Sequence, residues 1–180
     1  MIPIIEQAKT AMEEETFEQG RSLLLPPAMA GNADAQCWLG YLHVTYAACC
    51  SAKEALTWFK KAAAQDHPEA WYDLATRSWS EEGDVEWGIP RQETQREWLQ
   101  YAAQLGSANA QHDVGCLLCL GDYGFEKNPS QGRTWYREAA KQGHPCAQYP
   151  VGLMCLEGDG GVSDQEEGIC WLEQSAASDA

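Results

Sequence analysis

The chain has 180 residues, of which 12 are basic and 27 acidic, giving a formal net charge of −15. This charge repels nucleic-acid phosphate and anionic lipid, so neither is an expected partner, whereas a basic protein surface would be attracted. The alternative is that the charge only keeps the protein in solution. The length fits one ordinary domain.

Recurring positions organise the sequence as helix pairs. An apolar residue followed by a small one recurs at positions 39, 74, 114 and 151, and a tryptophan recurs at 58, 98, 135 and 171. A period of about 37 residues with two helices per unit is typical of an α-solenoid. The pattern therefore predicts an all-α fold built from antiparallel helix pairs.

The predicted elements begin with a capping pair. Residues 3–14 and 17–30 show a weak helix-pair pattern, and Pro26-Pro27 should break or shorten the second helix because each proline removes a backbone donor. We expect one repeat domain over residues 1–180. Its parts, in chain order, are a cap over 1–31 and repeats over 32–67, 68–107, 108–144 and 145–180.

The predicted helix starts and packing positions recur with the same repeat period. The predicted N-caps and capping boxes begin at Asn32, Ser51, Asn128 and Asp164. Pro150 should kink the first helix of the last repeat or delay its start. Small residues at the anchors should let helices cross closely, and the repeated tryptophans should fill the core between layers.

The unit A-x-A-Q-x-x-L-G, a Gly-rich turn, and then W-Y-x-x-A-A-x-Q-G resembles the Sel-1-like repeat, a relative of the tetratricopeptide repeat. Residues 108–143 carry the pattern best, and residues 158–164 are similar to the family's G-x-G-V-x-x-D turn. The resemblance covers residues 33–177. It implies a right-handed superhelix of helix pairs that binds other proteins. Bacterial members include signalling adaptors, secretion-linked factors and immunity proteins that block a toxic effector.

The resemblance also implies which residues meet a partner. In such repeats the first helices line the concave face, and the residues flanking each anchor point into the groove. An acidic face carrying tyrosines would suit a protein partner, because aromatic side chains give contact area at low entropic cost. The candidate groove residues are Asp34, Cys37, Tyr41, Glu69, Tyr72, Thr76, Trp79, Asn109, His112, Cys116 and Tyr149.

A longer connection in the second repeat gives another candidate surface. Residues 78–90 place two tryptophans among four acidic residues, and an insertion within one repeat often lies on the binding face. The alternative is that one tryptophan packs into the core of a weak repeat. The candidate loop residues are Trp79, Glu81, Glu82, Asp84, Glu86 and Trp87.

The sequence contains no recognisable catalytic or cofactor motif. It has no H-E-x-x-H, no Walker-type loop and no G-x-S-x-G, and His67 and His144 precede prolines as expected turn residues. Cys116-x-x-Cys119 lies within a helix pattern and has no second pair, so no metal is expected. We therefore expect neither enzymatic activity nor a cofactor.

The cysteines and the first residues bear on the cellular compartment. Most of the eight cysteines occupy small or apolar positions in helix patterns, where we expect reduced thiols. The start lacks the basic lead and apolar run of a signal peptide, and no apolar stretch reaches the roughly 20 residues of a membrane span. A cytoplasmic protein is the expectation.

These patterns favour a non-enzymatic module that binds a protein with a basic surface. The most concrete hypothesis is a bacterial immunity protein that neutralises a secreted toxic effector, as in type VI secretion. A regulatory or scaffold adaptor in signalling or envelope assembly is the close alternative. An alternative of another class is β-lactam binding or hydrolysis, as in a cysteine-rich branch of the family, whose regularly paired cysteines this chain lacks. We expect a monomer or a weak homodimer.

Overall fold

A computed structural model describes residues 4–13, 17–46, 52–77 and 93–178. These ranges form helices joined by turns and contain no strand, so the predicted all-α fold is confirmed. The helices are α1 (Ile4–Glu13), α2 (Phe17–Met29), α3 (Ala33–Thr45), α4 (Ala52–Ala63), α5 (Pro68–Arg77), α6 (Glu93–Gln104), α7 (Ala108–Leu120), α8 (Pro129–Lys141), α9 (Pro145–Glu157) and α10 (Gln165–Ser178).

The first compact unit, unit 1, spans Met1–Arg91. Its helices pack in chain order, α1 on α2, α2 on α3, α3 on α4 and α4 on α5. Leu24, Leu39 and Leu42 are fully buried and form one cluster with small residues of α1 and α2. Each such side chain contributes roughly 1.5–3 kcal/mol when it leaves water, so this cluster holds the capping pair to the first repeat.

The second compact unit, unit 2, spans Gln92–Ala180. Here too, the helices pack in chain order, α6 on α7, α7 on α8, α8 on α9 and α9 on α10. Tyr136 of α8 clusters with Val151, Met154 and Cys155 of α9, and Trp171 of α10 packs against the edge of this cluster. The core of unit 2 is therefore a seam between stacked helices, as expected for repeats.

Close helix crossings occur at the small anchor residues, but the residue that faces them is not the tryptophan. A Cβ on Gly40 would lie 2.6 Å from the ring of Phe59, and a Cβ on Gly115 would lie 3.1 Å from the ring of Tyr136. Phe59 and Tyr136 are buried, whereas the tryptophan before each of them is only half-buried. The core position after Trp58, Trp98 and Trp135 therefore belongs to the next residue, and these tryptophans are only half-buried.

Prolines interrupt the helices less than the sequence predicts. The expected break in α2 is wrong, because the helix continues through Pro26 and Pro27 to Met29. Both prolines lie in the last turn, and their carbonyls accept hydrogen bonds from amides just beyond the helix. Pro150 lies inside α9, which begins at Pro145, so the alternative of a late start is also wrong.

The predicted helix starts are capped by side chains wherever the structure describes them. Asn32, Asn128 and Asp164 each accept a hydrogen bond from the amide three residues on, at 2.7, 3.1 and 3.0 Å. Glu167, the expected reciprocal member of the last capping box, directs its carboxylate to an arginine of α8 instead. The box predicted at Ser51 lies outside the described residues.

Glutamine side chains join successive helix pairs by the same geometry in both units. Gln36 Nε2 donates to the backbone carbonyl eight residues earlier at 2.9 Å, and Gln36 Oε1 accepts from Gln65 Nε2 at 2.8 Å. Gln111 repeats the first bond at 3.1 Å and accepts from Gln142 at 2.8 Å. We call this arrangement the glutamine joint. It satisfies buried polar atoms while fixing the register of neighbouring helices.

Candidate partner-binding surface

In unit 1, the first helices of the two repeats, α3 and α5, place acidic residues around the buried thiol of Cys37. Burial raises the pKa of Cys37, and the charges of Asp73, Glu69 and Asp34 raise it further, while Arg77 opposes them. Cys37 is 2% exposed, so its expected place in the groove is wrong. The carboxylates of Asp34 and Glu69 remain at least partly exposed. We define the α3–α5 acidic face as Asp34, Tyr41, Glu69, Tyr72 and Asp73.

Asp73 is the buried member of this face, with a side chain that is 4% exposed. Burial raises its pKa to about 6, although the Tyr41 hydroxyl and the Arg77 guanidinium oppose the rise. Arg77 Nη2 donates to Asp73 Oδ1 at 3.0 Å. Burial, followed by the charge of Asp73, raises the pKa of Tyr41, whose ring meets Phe59 edge-on at 5.5 Å. Tyr41 therefore links the core to the acidic face.

The outer part of the acidic face is tied to a repeat turn. Asp34 has a side chain that is 61% exposed, and its Oδ1 lies 3.0 Å from His67 Nε2. His67 thus occupies the turn, as predicted, and bridges it to α3. Tyr72 and Thr76 are half-buried, and the Thr76 hydroxyl donates to the Tyr72 carbonyl at 3.0 Å. The Thr76 hydroxyl therefore donates its hydrogen bond within α5.

In unit 2 the candidate groove residues of α7 gather around two histidines. The ring of His112 stacks on that of His144, with centroids 4.7 Å apart and an interplanar angle of 18°. His144 Nε2 lies 3.2 Å from Asn109 Oδ1, which repeats the turn-to-helix contact of unit 1 with an amide in place of a carboxylate. His112 Nδ1 lies 2.9 Å from Asp113 Oδ1. The ring of His112 is therefore positioned by stacking on His144 and by its contact with Asp113.

The remaining candidates of unit 2 differ in accessibility. Cys116 is half-buried and hydrogen-bonds to Tyr136, whose pKa is raised by burial and then by this thiol. Tyr149 of α9 is 56% exposed and presents its ring to solvent. The structure does not describe the loop candidates, because Trp79, Glu81, Glu82, Asp84, Glu86 and Trp87 lie outside the described residues.

A second ionic cluster, which sequence reasoning missed, lies in unit 2. Arg137 binds Glu167 through two hydrogen bonds of 2.7 Å, from Nε and from Nη2. These bonds are the main cause of a Glu167 pKa lowered to about 2, and Trp171 Nε1 also donates to the carboxylate. Arg133 is 6% exposed and donates to a backbone carbonyl and to the Cys155 thiol.

The sequence offered unequal signals for these missed residues. Asp73 precedes an anchor at a position that holds Trp38, Asp113 and Pro150 in the other repeats, so aspartate occurs in only half of the repeats and is a weak signal. Arg133 and Arg137 are one helical turn apart on α8. That spacing places two cations on one side of a helix, and it was the available signal.

The described part of the chain holds no group of three or more His, Cys, Asp or Glu that could bind a metal. The six cysteines within it are free thiols. No helix in these ranges is both long enough and apolar enough to cross a membrane.

The repeat pattern and the helix-pair geometry together define a family. The Sel1 repeat model matches residues 33–45, 51–67, 68–107, 108–144 and 147–179. The chain therefore belongs to the Sel1 repeat family, whose fold mediates protein–protein interaction. A comparison with curated proteins found no match.

Solved structures support the same fold. A Sel1 repeat protein from Oxalobacter formigenes is 25% identical with a TM-score of 0.76, over 91% of this chain and 46% of that protein. The protective antigen c5321 of uropathogenic Escherichia coli, described as displaying an SLR fold, is 26% identical with a TM-score of 0.51, over 89% and 41%. This chain thus spans less than half the length of either protein. The immunity protein PA5088 from Pseudomonas aeruginosa is 18% identical with a TM-score of 0.61, over 95% and 65%, and shows the fold alone.

Proposed function

We propose that this chain is a bacterial immunity protein that binds a secreted toxic effector and obstructs its active site, as in type VI secretion. The observation that carries the proposal is the α3–α5 acidic face. In it, the negative charges of Asp34, Glu69 and Asp73 surround the buried Cys37, and the positive charge of Arg77 opposes their effect on this thiol. An acidic face of this kind attracts a cationic protein surface and accelerates its association.

The side chains of the face have different roles in binding. Asp34 is largely exposed and supplies charge at the rim, where charges mainly set the association rate and its salt dependence. Tyr72 supplies aromatic contact area on the same helix face as Glu69, one turn away. Inhibition of this type needs stoichiometric binding and no chemistry from the chain.

The fold is compatible with this role, because PA5088 is an immunity protein built on the same helix-pair plan. A Sel1 repeat presents its first helices side by side, which makes an extended surface from residues far apart in sequence. The net charge of −15 extends the attraction beyond the face itself.

A charge-reversal experiment tests the proposal. Tagged wild type and an Asp34→Lys/Glu69→Lys variant are used to capture proteins from a lysate of the source cells. The matched control is Glu157→Lys/Glu173→Lys, which makes the same charge change at exposed positions of unit 2. We expect wild type and control to retain one basic protein stoichiometrically. The face variant should bind it at least about tenfold more weakly, with an unchanged circular dichroism spectrum.

The captured protein is then expressed in a bacterial host. It should arrest growth when expressed alone, and co-expression of wild type, but not of the face variant, should restore growth. A harmless partner would contradict the immunity role and favour the adaptor. Equal capture by the face variant would show that the α3–α5 acidic face does not bind the partner.

A further inference from the structure

A polar cavity of about 280 Å³, open to solvent, lies between α8 and the glycine turn that follows α9. Its α8 wall consists of Ser130, Arg133, Thr134 and Arg137, which lie on one side of the helix, and residues 160–162 form the opposite wall. A phosphate-sized group fits a space of this volume. The cavity lies entirely within unit 2 and is separate from the α3–α5 acidic face.

Glycine brings the turn close to the cationic wall. A Cβ on Gly161 would lie 3.1 Å from Arg133 Nη1, and a Cβ on Gly160 would overlap the Pro129 carbonyl oxygen. Gly160 also has φ of +72°, a left-handed conformation that L side chains rarely adopt. The turn thus keeps side chains away from the arginines and leaves the space between them open.

The residues that line the cavity include two cations and no anion. Arg137 pairs with Glu167 at 2.7 Å, and Arg133 Nη2 lies 3.8 Å from the same carboxylate. The hydrogen bonds of Arg133 go to the Val162 carbonyl at 2.9 Å and to the Cys155 thiol at 3.0 Å, both of them neutral groups. Two guanidinium groups therefore share one carboxylate, and the wall keeps an excess positive charge in a chain of net charge −15.

Hydrogen-bond donors remain at this wall. The Arg133 side chain is 7% exposed, and its buried Nε has no hydrogen-bond partner among the described residues. Glu167 occupies the Nε–Nη2 edge of Arg137, which leaves the Nη1 edge for another acceptor. Ser130 adds a hydroxyl in the first turn of the 13-residue helix α8, where the helix dipole also favours an anion.

We propose that this cavity binds a phosphate-sized oxyanion, held by the guanidinium groups of Arg133 and Arg137 and by the Ser130 hydroxyl. Glu167 positions Arg137 for this role by fixing one edge of its guanidinium plane. The shared chemistry is a tetrahedral oxyanion with several acceptor oxygens, whether it is free phosphate or the phosphoryl group of a monoester. Guanidinium groups suit such oxygens because their planar donors match the spacing of two acceptors.

The test is an NMR titration of the ¹⁵N-labelled chain at constant ionic strength. Inorganic phosphate, O-phosphoserine and acetate are added separately, with chloride as the reference anion. The readouts are the backbone amides of residues 160 and 161 and the Nε–H signals of the two arginines. We expect phosphate to shift these signals saturably with a Kd of about 1–10 mM, and acetate to shift them more weakly. Equal binding of O-phosphoserine would identify the phosphoryl group as sufficient.

Three variants locate the site. Arg137→Gln should weaken phosphate binding by about tenfold or more, because it removes a charge-assisted donor. Ser130→Ala should weaken it a few-fold without disturbing the ion pairs. Lys141→Gln removes the same charge near the end of the same helix, where the lysine pairs with Glu138, and should bind like wild type.

Two results would overturn the proposal. One is the absence of saturable shifts at the cavity in wild type up to about 50 mM phosphate, well above the expected Kd. The other is an unchanged phosphate affinity in Ser130→Ala together with equal losses in Arg137→Gln and Lys141→Gln, which would indicate a diffuse charge effect. If Arg137→Gln fails to fold, the first result and the Ser130→Ala comparison still decide.

Discussion

Unit 1 and unit 2 each hold one carboxylate away from its ordinary pKa, in opposite directions. Burial raises the pKa of Asp73 to about 6, whereas hydrogen bonds from Arg137 lower that of Glu167 to about 2. Asp73 has its arginine one turn away on its own helix, but Glu167 meets an arginine from another helix pair. The same repeat plan thus contains one carboxyl group, Asp73, whose surroundings favour the neutral form. It contains another, Glu167, whose surroundings favour the charged form.

This difference predicts opposite responses to acid. The contribution of Asp73 to the stability of unit 1 is fully present below its ordinary pKa and is lost as pH rises through about 6. The contribution of Glu167 to unit 2 is present above its ordinary pKa and is lost as pH falls toward 2. Mild acid should therefore strengthen unit 1 and, at lower pH, weaken unit 2.

The largest expected effect is that of Glu167→Gln. The substitution leaves Arg137 and the buried Arg133 without their shared carboxylate, which should cost about 3 kcal/mol at neutral pH. Urea unfolding, followed by NMR signals of α8 and α10, measures the loss. The control is Glu166→Gln, at the exposed neighbouring position, which should change the free energy of unfolding by less than about 0.5 kcal/mol. Equal effects of the two variants would contradict the ion-pair account.

The next effect is the pH dependence of Asp73→Asn. In wild type, the stability of unit 1 should fall by about 1–3 kcal/mol between about pH 4 and about pH 7 as this carboxyl ionises. The amide cannot ionise but still accepts a hydrogen bond from Arg77, so the variant should lose most of this slope. Urea unfolding followed on α3 and α5 signals measures it, and an unchanged slope would show that another group titrates.

The smallest effect separates the two close helix crossings. Gly40→Ala places a Cβ 2.6 Å from the Phe59 ring, and this overpacking should cost about 1–3 kcal/mol. Gly115→Ala places its Cβ 3.1 Å from the Tyr136 ring and 3.2 Å from the Gly132 carbonyl oxygen, so both the ring and α8 must move, but only by a few tenths of an ångström. The better helix propensity of alanine, about 1 kcal/mol, should then offset that cost. Denaturation midpoints of the two variants test the order, and Phe59→Leu should partly rescue Gly40→Ala.

The repeat phase and the helix starts could be predicted because they depend on local chemistry. Asn32, Asn128 and Asp164 cap their helices through side-chain bonds spanning three residues, and such bonds leave a short sequence signature. The burial of Phe59 in place of Trp58 depends on the rotation of one helix against another. A repeated tryptophan marks the helix, but it does not fix that rotation.

The candidate surface was less accessible to sequence reasoning. Asp34 and Glu69 could be placed on first helices, but the raised pKa of Asp73 results from burial by side chains of several elements. The link between Arg137 and Glu167 spans 30 residues, and neither residue type reveals its partner. Long-range electrostatics of this kind requires coordinates.

The glutamine joint has a consequence for how such chains change over generations. Gln36 and Gln111 each donate to a main-chain carbonyl of the preceding helix pair, and every residue type supplies such a carbonyl. The seam between successive helix pairs within a unit therefore demands no particular side chain from the preceding pair. Duplication, deletion or exchange of a whole helix pair leaves this coupling intact, so the length of the array and the chemistry of its faces can evolve independently of the bonds that hold it together.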